Sequence, residues 1–60
     1  MTREQIVRVV ERNGIRFIGF QRSVREGGDL VLVDDRLGST RSIREKEFTE
    51  WRLLQTFRGV

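Results

Sequence analysis

From Thr2 to Asn13 the apolar residues stand at Ile6, Val9 and Val10, with Val7 at the margin, spacings of three and four that cover one face of a helix. Thr2 and Gln5 have capping-box spacing: the threonine hydroxyl can accept from the Gln5 amide while the glutamine side chain reaches back to the Thr2 amide. Asn13-Gly14 supplies a left-handed stop, so a helix is predicted over about residues 3–13. The period then changes. In IRFIGFQR, residues 15–22, aromatic and β-branched residues crowd too closely for a useful helix and predict a strand. Simple alternation puts Ile15, Phe17 and Gly19 on one face and Arg16, Ile18, Phe20 and Arg22 on the other. The polar stretch SVREGGD, with its glycine pair, is a return loop. DLVLVD is the next strand, apolar on both faces (Leu30 and Leu32 against Val31 and Val33), the pattern of a strand covered on both sides.

Asp35-Arg36-Leu37-Gly38 fits a type I turn. Its aspartate would bond back to the turn's own amides, and Gly38 would take the left-handed conformation that closes a bulged hairpin. A third strand runs through STRSI with Ile43 inward. Two starts are open to the last helix. Ser42 has capping-box spacing with Glu45, whereas Thr49 has Phe48 before it and Leu53 four residues on, the two halves of a hydrophobic staple. The staple favours Thr49 and accounts for Leu53 lying off the stripe Phe48, Trp51, Leu54 and Phe57, which is then expected to face the core. Gly59 is placed to end the helix.

The expected fold is therefore α+β, α-β-β-β-α, a three-stranded antiparallel sheet packed with two helices in one domain over residues 1–60. A chain this short buries only about 60% of its unfolded surface, and such a core rarely supplies more than about 3–5 kcal/mol. Ile18, Phe20, Val31 and Val33 compete for cover from two short helices, which predicts a homodimer burying one sheet face or edge. Cysteine and histidine are both absent. That removes disulfides, the usual zinc sites, thiol catalysis and imidazole acid/base chemistry. The longest apolar run is Leu30–Val33 and no apolar leader is seen, so a cytoplasmic protein without membrane contact is expected.

The net charge is +3, from 12 basic and 9 acidic residues, and every base but Lys46 is arginine. Arginine suits bidentate contacts to phosphate or carboxylate, but acids are interleaved with it in REGGD and REKEFTEWR, as on a solvated mixed surface. Other chemistry is poorly served. Asp34 and Asp35 are adjacent on a strand and point apart, so they do not form a metal pair. GST lacks the distant glycine and the Gly-Lys pair of a phosphate loop, and Arg44-Glu45-Lys46 has arginine where a nuclease-type acid would stand. A carboxylate pair such as Asp34 with Glu45 is not brought together by any spacing. No catalytic, cofactor or metal residues are assigned. Trp51 near arginines is the residue type that stacks on bases, though its helical spacing with Phe48, Leu54 and Phe57 places it in the core. A candidate binding surface is made of Arg16, Ile18, Phe20, Arg22, Arg41 and Arg44, mixed apolar and basic as partner surfaces are.

Two resemblances bear on this. The element order is similar to that of the double-stranded-RNA-binding domain, but the last helix here starts with Glu45, Glu47 and Glu50 instead of lysines, and the loop RSVREGG has neither the proline nor the histidine of that family. Over residues 2–58 the chain also resembles short phage and prophage proteins in which a helix, a hairpin ending in a TGST-like turn and a last helix recur; the segments are GIRFIGFQ, LVLVDDRLGSTRSI and EFTE. Arg36-Leu37 stands where that turn usually has proline or threonine. The resemblance implies an accessory protein, in the host cytoplasm if phage-encoded. The expected function is a small non-enzymatic binding protein acting through protein–protein contact, as an adaptor or inhibitor, alone or as a homodimer. The alternative is nucleic-acid binding to double-stranded RNA or DNA, expected to be weak.

Overall fold

The computed structural model describes residues 1–58. Helix α1 (Arg3–Arg12) is followed by β1 (Arg16–Gln21), β2 (Leu30–Asp34), β3 (Thr40–Arg44), a single 3-10 turn (Glu45–Glu47) and helix α2 (Glu50–Thr56). The strands form one antiparallel sheet in the order β1-β2-β3. The expected α-β-β-β-α architecture is observed.

Local chemistry accounts for the ends of α1. The Gln5 amide donates to the Thr2 hydroxyl at 3.1 Å, and the Thr2 amide donates to the Gln5 side chain at 2.9 Å, completing the capping box. Gly14 follows the helix at φ +73°, where a side chain would be strained. Ile6, Val9 and Val10 are buried, as their spacing predicts.

The core is one cluster: Ile6, Val9 and Val10 of α1, Ile15 just before β1, Val31 and Val33 of β2, Ile43 of β3, and Phe48 and Leu53 at α2. Because both helices feed this one cluster, they share one face of the sheet. The expectation that β2 is covered on both sides is therefore corrected. Val31 and Val33 are fully buried, but Leu30 and Leu32, on the opposite face, are only half-buried.

β1 departs from simple alternation. Phe17 pairs with Val33 but Gly19 pairs with Leu32, so Ile18 is one residue too many and the strand bulges. Beyond the bulge the phase is reversed: Phe20 pairs with Val31 and lies on the core side with Phe17, their rings 5.0 Å apart and tilted by 59°. Unbroken alternation would have left Phe20 beside Arg16; one inserted residue partly buries both aromatic rings and leaves Ile18 46% exposed. The bulge also makes this edge of the sheet a poor template for pairing with a further strand.

The guanidinium of Arg3 sits 4.4 Å from the centre of the Phe20 ring. It donates to Glu45 from Nε at 3.1 Å and to Asp29 from Nη2 at 2.8 Å, while the Glu45 amide donates to the Asp29 carbonyl at 2.9 Å. One side chain thus joins the first turn of α1 to the end of β1, the entry to β2 and the exit from β3.

The last helix starts at Thr49, whose hydroxyl accepts from the Arg52 amide at 3.0 Å; Ser42 lies in β3 opposite Leu32. Phe48 and Leu53 are both buried, completing the staple. The expected stripe, however, is split: Phe48 is buried and Phe57 packs partly buried against the core, but the two residues between them are turned outward. Trp51 is 67% exposed and Leu54 47%. With Phe48 and Leu53 anchored, residue 51 is roughly 200° from residue 53 around the helix, so it has to face away from the sheet. The helix ends at Thr56, and Gly59 lies outside the described residues.

The β2–β3 turn keeps its predicted acid and glycine but not its type. Asp35 accepts from the amides of Leu37 at 2.8 Å and Ser39 at 3.1 Å, and Gly38 has φ +90°. Arg36 has φ +75°, which excludes a type I turn with Arg36 as its second residue. A left-handed conformation costs a non-glycine residue about 1–2 kcal/mol. Arg36→Gly is therefore expected to raise stability by up to about 1 kcal/mol, and Gly38→Val to lower it by more than about 1 kcal/mol, both read from chemical denaturation midpoints. Opposite signs at positions two apart test the turn geometry, since no heavy atom lies within 4 Å of a Cβ at residue 38 and crowding plays no part there.

Candidate functional site

The outward turn of Trp51 and Leu54 on α2 lines a largely apolar recess. A groove of about 650 Å³ runs between α2 (Trp51, Leu54, Gln55), Phe57 and Arg58 just beyond it, the α1–β1 turn (Asn13, Gly14, Ile15) and Asp35. Its walls are tied together at one end. The Glu50 carboxylate accepts from Arg12 at 2.9 Å and from Asn13 at 2.9 Å, joining the end of α1 to the start of α2. The hydrogen bond from Asn13, and then that from Arg12, holds the Glu50 carboxyl below its ordinary pKa.

Electrostatics differ along this groove. The Arg12–Glu50 end is neutralised. Asp35, which follows the Arg16–Asp34 pair, is occupied by its own loop: the Leu37 and Ser39 amides, with Arg41 nearby, hold its carboxyl below the ordinary aspartate value. Arg58 lines the groove and makes no ion pair among the described residues. The same holds for Arg36 and Arg41, in and beside the β2–β3 turn. The groove thus combines exposed indole and isobutyl surface with unneutralised arginine at one end.

The six residues expected to form a binding surface do not share one. Arg16 lies opposite Asp34, with an ion pair at 3.2 Å, and Arg44 lies opposite Leu30, both on the face away from the helices. Ile18 is the bulge residue, opposing Leu32 together with Gly19. Phe20 lies on the core side beneath Arg3, and Arg41 opposite Val33 belongs to that same side. Arg22 is exposed beyond the end of β1. Arg44 is also engaged by Glu47 at 3.3 Å. The bulge and the strand register, neither legible as simple alternation, divide the set between the two faces.

Trp51 and Leu54, expected in the core from their helical spacing, lie at the surface. The staple was the signal that could have corrected this: if Phe48 and Leu53 hold the helix down, a residue two before Leu53 points outward. The acids also take structural places. The Arg36 amide donates to Asp34 at 2.9 Å, so the amides of Arg36, Leu37 and Ser39 are all satisfied by Asp34 and Asp35 and make no phosphate cradle. Among the described residues no group of three or more acids is arranged to hold a metal ion, and no helix is long and apolar enough to cross a membrane. The chain matches none of the protein-family models, curated proteins or solved structures with which it was compared.

Asp35 and Glu50 both have folded-state pKa values below their unfolded ones, so at acid pH the unfolded chain binds more protons. Their contribution is complete above the unfolded carboxylate range, near pH 4, and is lost as pH falls through the lower folded values. Melting temperature is expected to drop below about pH 4. In the double variant Asp35→Asn with Glu50→Gln that acid limb is expected to flatten, as followed by circular dichroism across the pH series.

Proposed function

We propose that this chain is a small non-enzymatic binding protein, of phage accessory type, that acts as an adaptor or inhibitor by holding an apolar segment of another protein in the α2 groove. The observation that carries the reading is the exposure of Trp51 and Leu54 side by side on a helix whose Leu53 is fully buried. Large apolar side chains set singly on a surface need no explanation, but a tryptophan and a leucine lining one recess with Ile15 and Phe57 make a contiguous patch of the kind that partners cover. Tryptophan is also the residue type most enriched where binding energy concentrates. The charged side chains around it serve the fold: Glu50 joins the helices and Asp35 closes a turn.

Nucleic-acid binding is the second reading, and the same exposed Trp51 favours it, because indole rings beside arginines stack on unpaired bases. Charge weighs against it. Arg3, Arg8, Arg12, Arg16, Arg44 and Arg52 are each within ion-pair distance of a carboxylate, which leaves fewer arginines for phosphates. Self-association through the groove is a third form of the contact and accords with the small core.

The test compares the wild type with Leu54→Glu, which places a charge in the groove at an exposed position and is expected to change stability by no more than about 0.5 kcal/mol. A protein captured from host cells, purified and titrated against both, is expected to bind the wild type at least about tenfold more tightly, a difference of roughly 1.4 kcal/mol. Equal binding by Leu54→Glu, or capture that disappears on nuclease treatment, would contradict the reading. Sedimentation equilibrium of the two forms separates self-association from a foreign partner.

A further inference from the structure

Resting on the reading of the α2 groove as a protein-docking site, we infer that its occupant is an acidic amphipathic segment, whose apolar side chains fill the recess beside Trp51 and Leu54 and whose carboxylates meet Arg58. The charge pattern selects this occupant. Of the groove's lining residues only Asp35 and Arg58 are ionisable, and they are not equivalent. Asp35 Oδ1 accepts from two amides of its own loop, at 2.8 and 3.1 Å, and Arg41 lies near enough to help hold it ionised, so its negative charge is met from inside the chain. Arg58, just beyond the end of α2, has no carboxylate within ion-pair distance among the described residues. Arg36 adjoins Asp35 in the turn and Arg41 lies near it across the hairpin, and neither has a carboxylate within ion-pair distance among the described residues, so arginines outnumber carboxylates around Asp35.

The surplus charge of the molecule is concentrated in such residues. Six arginines are in ion pairs with carboxylates, whereas Arg22, Arg25, Arg36, Arg41, Lys46 and Arg58 have no carboxylate within ion-pair distance among the described residues. Arg58, Arg36 and Arg41 lie at or near the groove; Arg22 and Arg25 belong to the β1–β2 connection. A second copy of a chain with net charge +3 would bring like charge to this rim, and a basic or neutral segment would leave Arg58 desolvated without a partner. An acidic segment satisfies it. Helical spacing suits the apolar half, since residues at i, i+3, i+4 and i+7 lay one face into a hydrophobic groove.

Trp51 is the only tryptophan and the chain has no tyrosine, so indole emission reports the groove directly. The protein is titrated with a synthetic peptide carrying leucines at i, i+3, i+4 and i+7 and glutamates on its polar face, with the same peptide carrying lysines, and with single-stranded oligothymidylate. The glutamate peptide is expected to shift Trp51 emission to the blue, with an affinity that weakens as salt is raised. Arg58→Glu is expected to move the preference between the two peptides by about tenfold toward lysine, the range of one exposed charge reversal. Leu54→Glu is expected to abolish the shift. Equal binding of the glutamate and lysine peptides would overturn the acidic assignment and leave the docking reading standing. A blue shift that grows with protein concentration alone would assign the groove to a second copy, and tight, strongly salt-dependent oligothymidylate binding would assign it to nucleic acid; either overturns the inference. No response to either peptide, to the oligonucleotide or to protein concentration would overturn the docking reading as well.

Discussion

The packing of Phe48 and Leu53 beneath α2 decides what the rest of the molecule presents. Both are buried, one just before the helix cap and one a turn inside, and together they fix the angle at which a seven-residue helix meets the sheet. A helix this short would be marginal alone, so its orientation is set by these contacts more than by its own propensity. Full burial of Leu53 contributes about 1.5–3 kcal/mol, which is large against the few kcal/mol a core of this size supplies. Once that anchor is made, Trp51 and Leu54 are carried outward, and the groove beside them is a direct consequence.

The sheet follows the same economy of apolar residues. Both helices are drawn to one face by one core, and the opposite face is left with Leu30 and Leu32 only half-buried at its centre. The bulge at Ile18 brings Phe20 under Arg3, and Arg3 then binds Glu45 and Asp29. The polar clamp is therefore attached to the packing and does not replace it. Glu50 has the matching role at the other end, receiving Arg12 and Asn13 so that the two helices stay in register.

Most of the fold was legible in the sequence because its signals were local. The Thr2–Gln5 box, the Asn13-Gly14 stop, the Asp35 and Gly38 places in the hairpin, and the choice of Thr49 over Ser42 each rest on bonds between residues a few positions apart. What escaped reading depended on contacts across the sheet. The shift between Phe17 and Gly19 is set by which β1 residues oppose Val31, Leu32 and Val33, and no period within β1 records it. The left-handed Arg36 is imposed by closing Asp34 against Thr40. The six residues of the candidate surface are divided for the same reason, because alternation along separate strands does not record the bulge and register that set them on different faces. Trp51 is the instructive case: its helical stripe was real, but seven helical residues offer only one side to the core, and the staple had already claimed it for Leu53.

The functional account stands on that one orientation. If α2 is held by Leu53, the only tryptophan of the chain is at the surface whatever the partner proves to be. Collisional quenching of Trp51 by acrylamide and iodide in the isolated protein tests this most directly. The account predicts emission characteristic of a water-exposed indole and quenching by both agents that approaches that of a free tryptophan derivative, at protein concentrations low enough to exclude association. Blue-shifted emission shielded from both quenchers in a monomer would place Trp51 in the core, and would contradict the groove and every functional statement that depends on it.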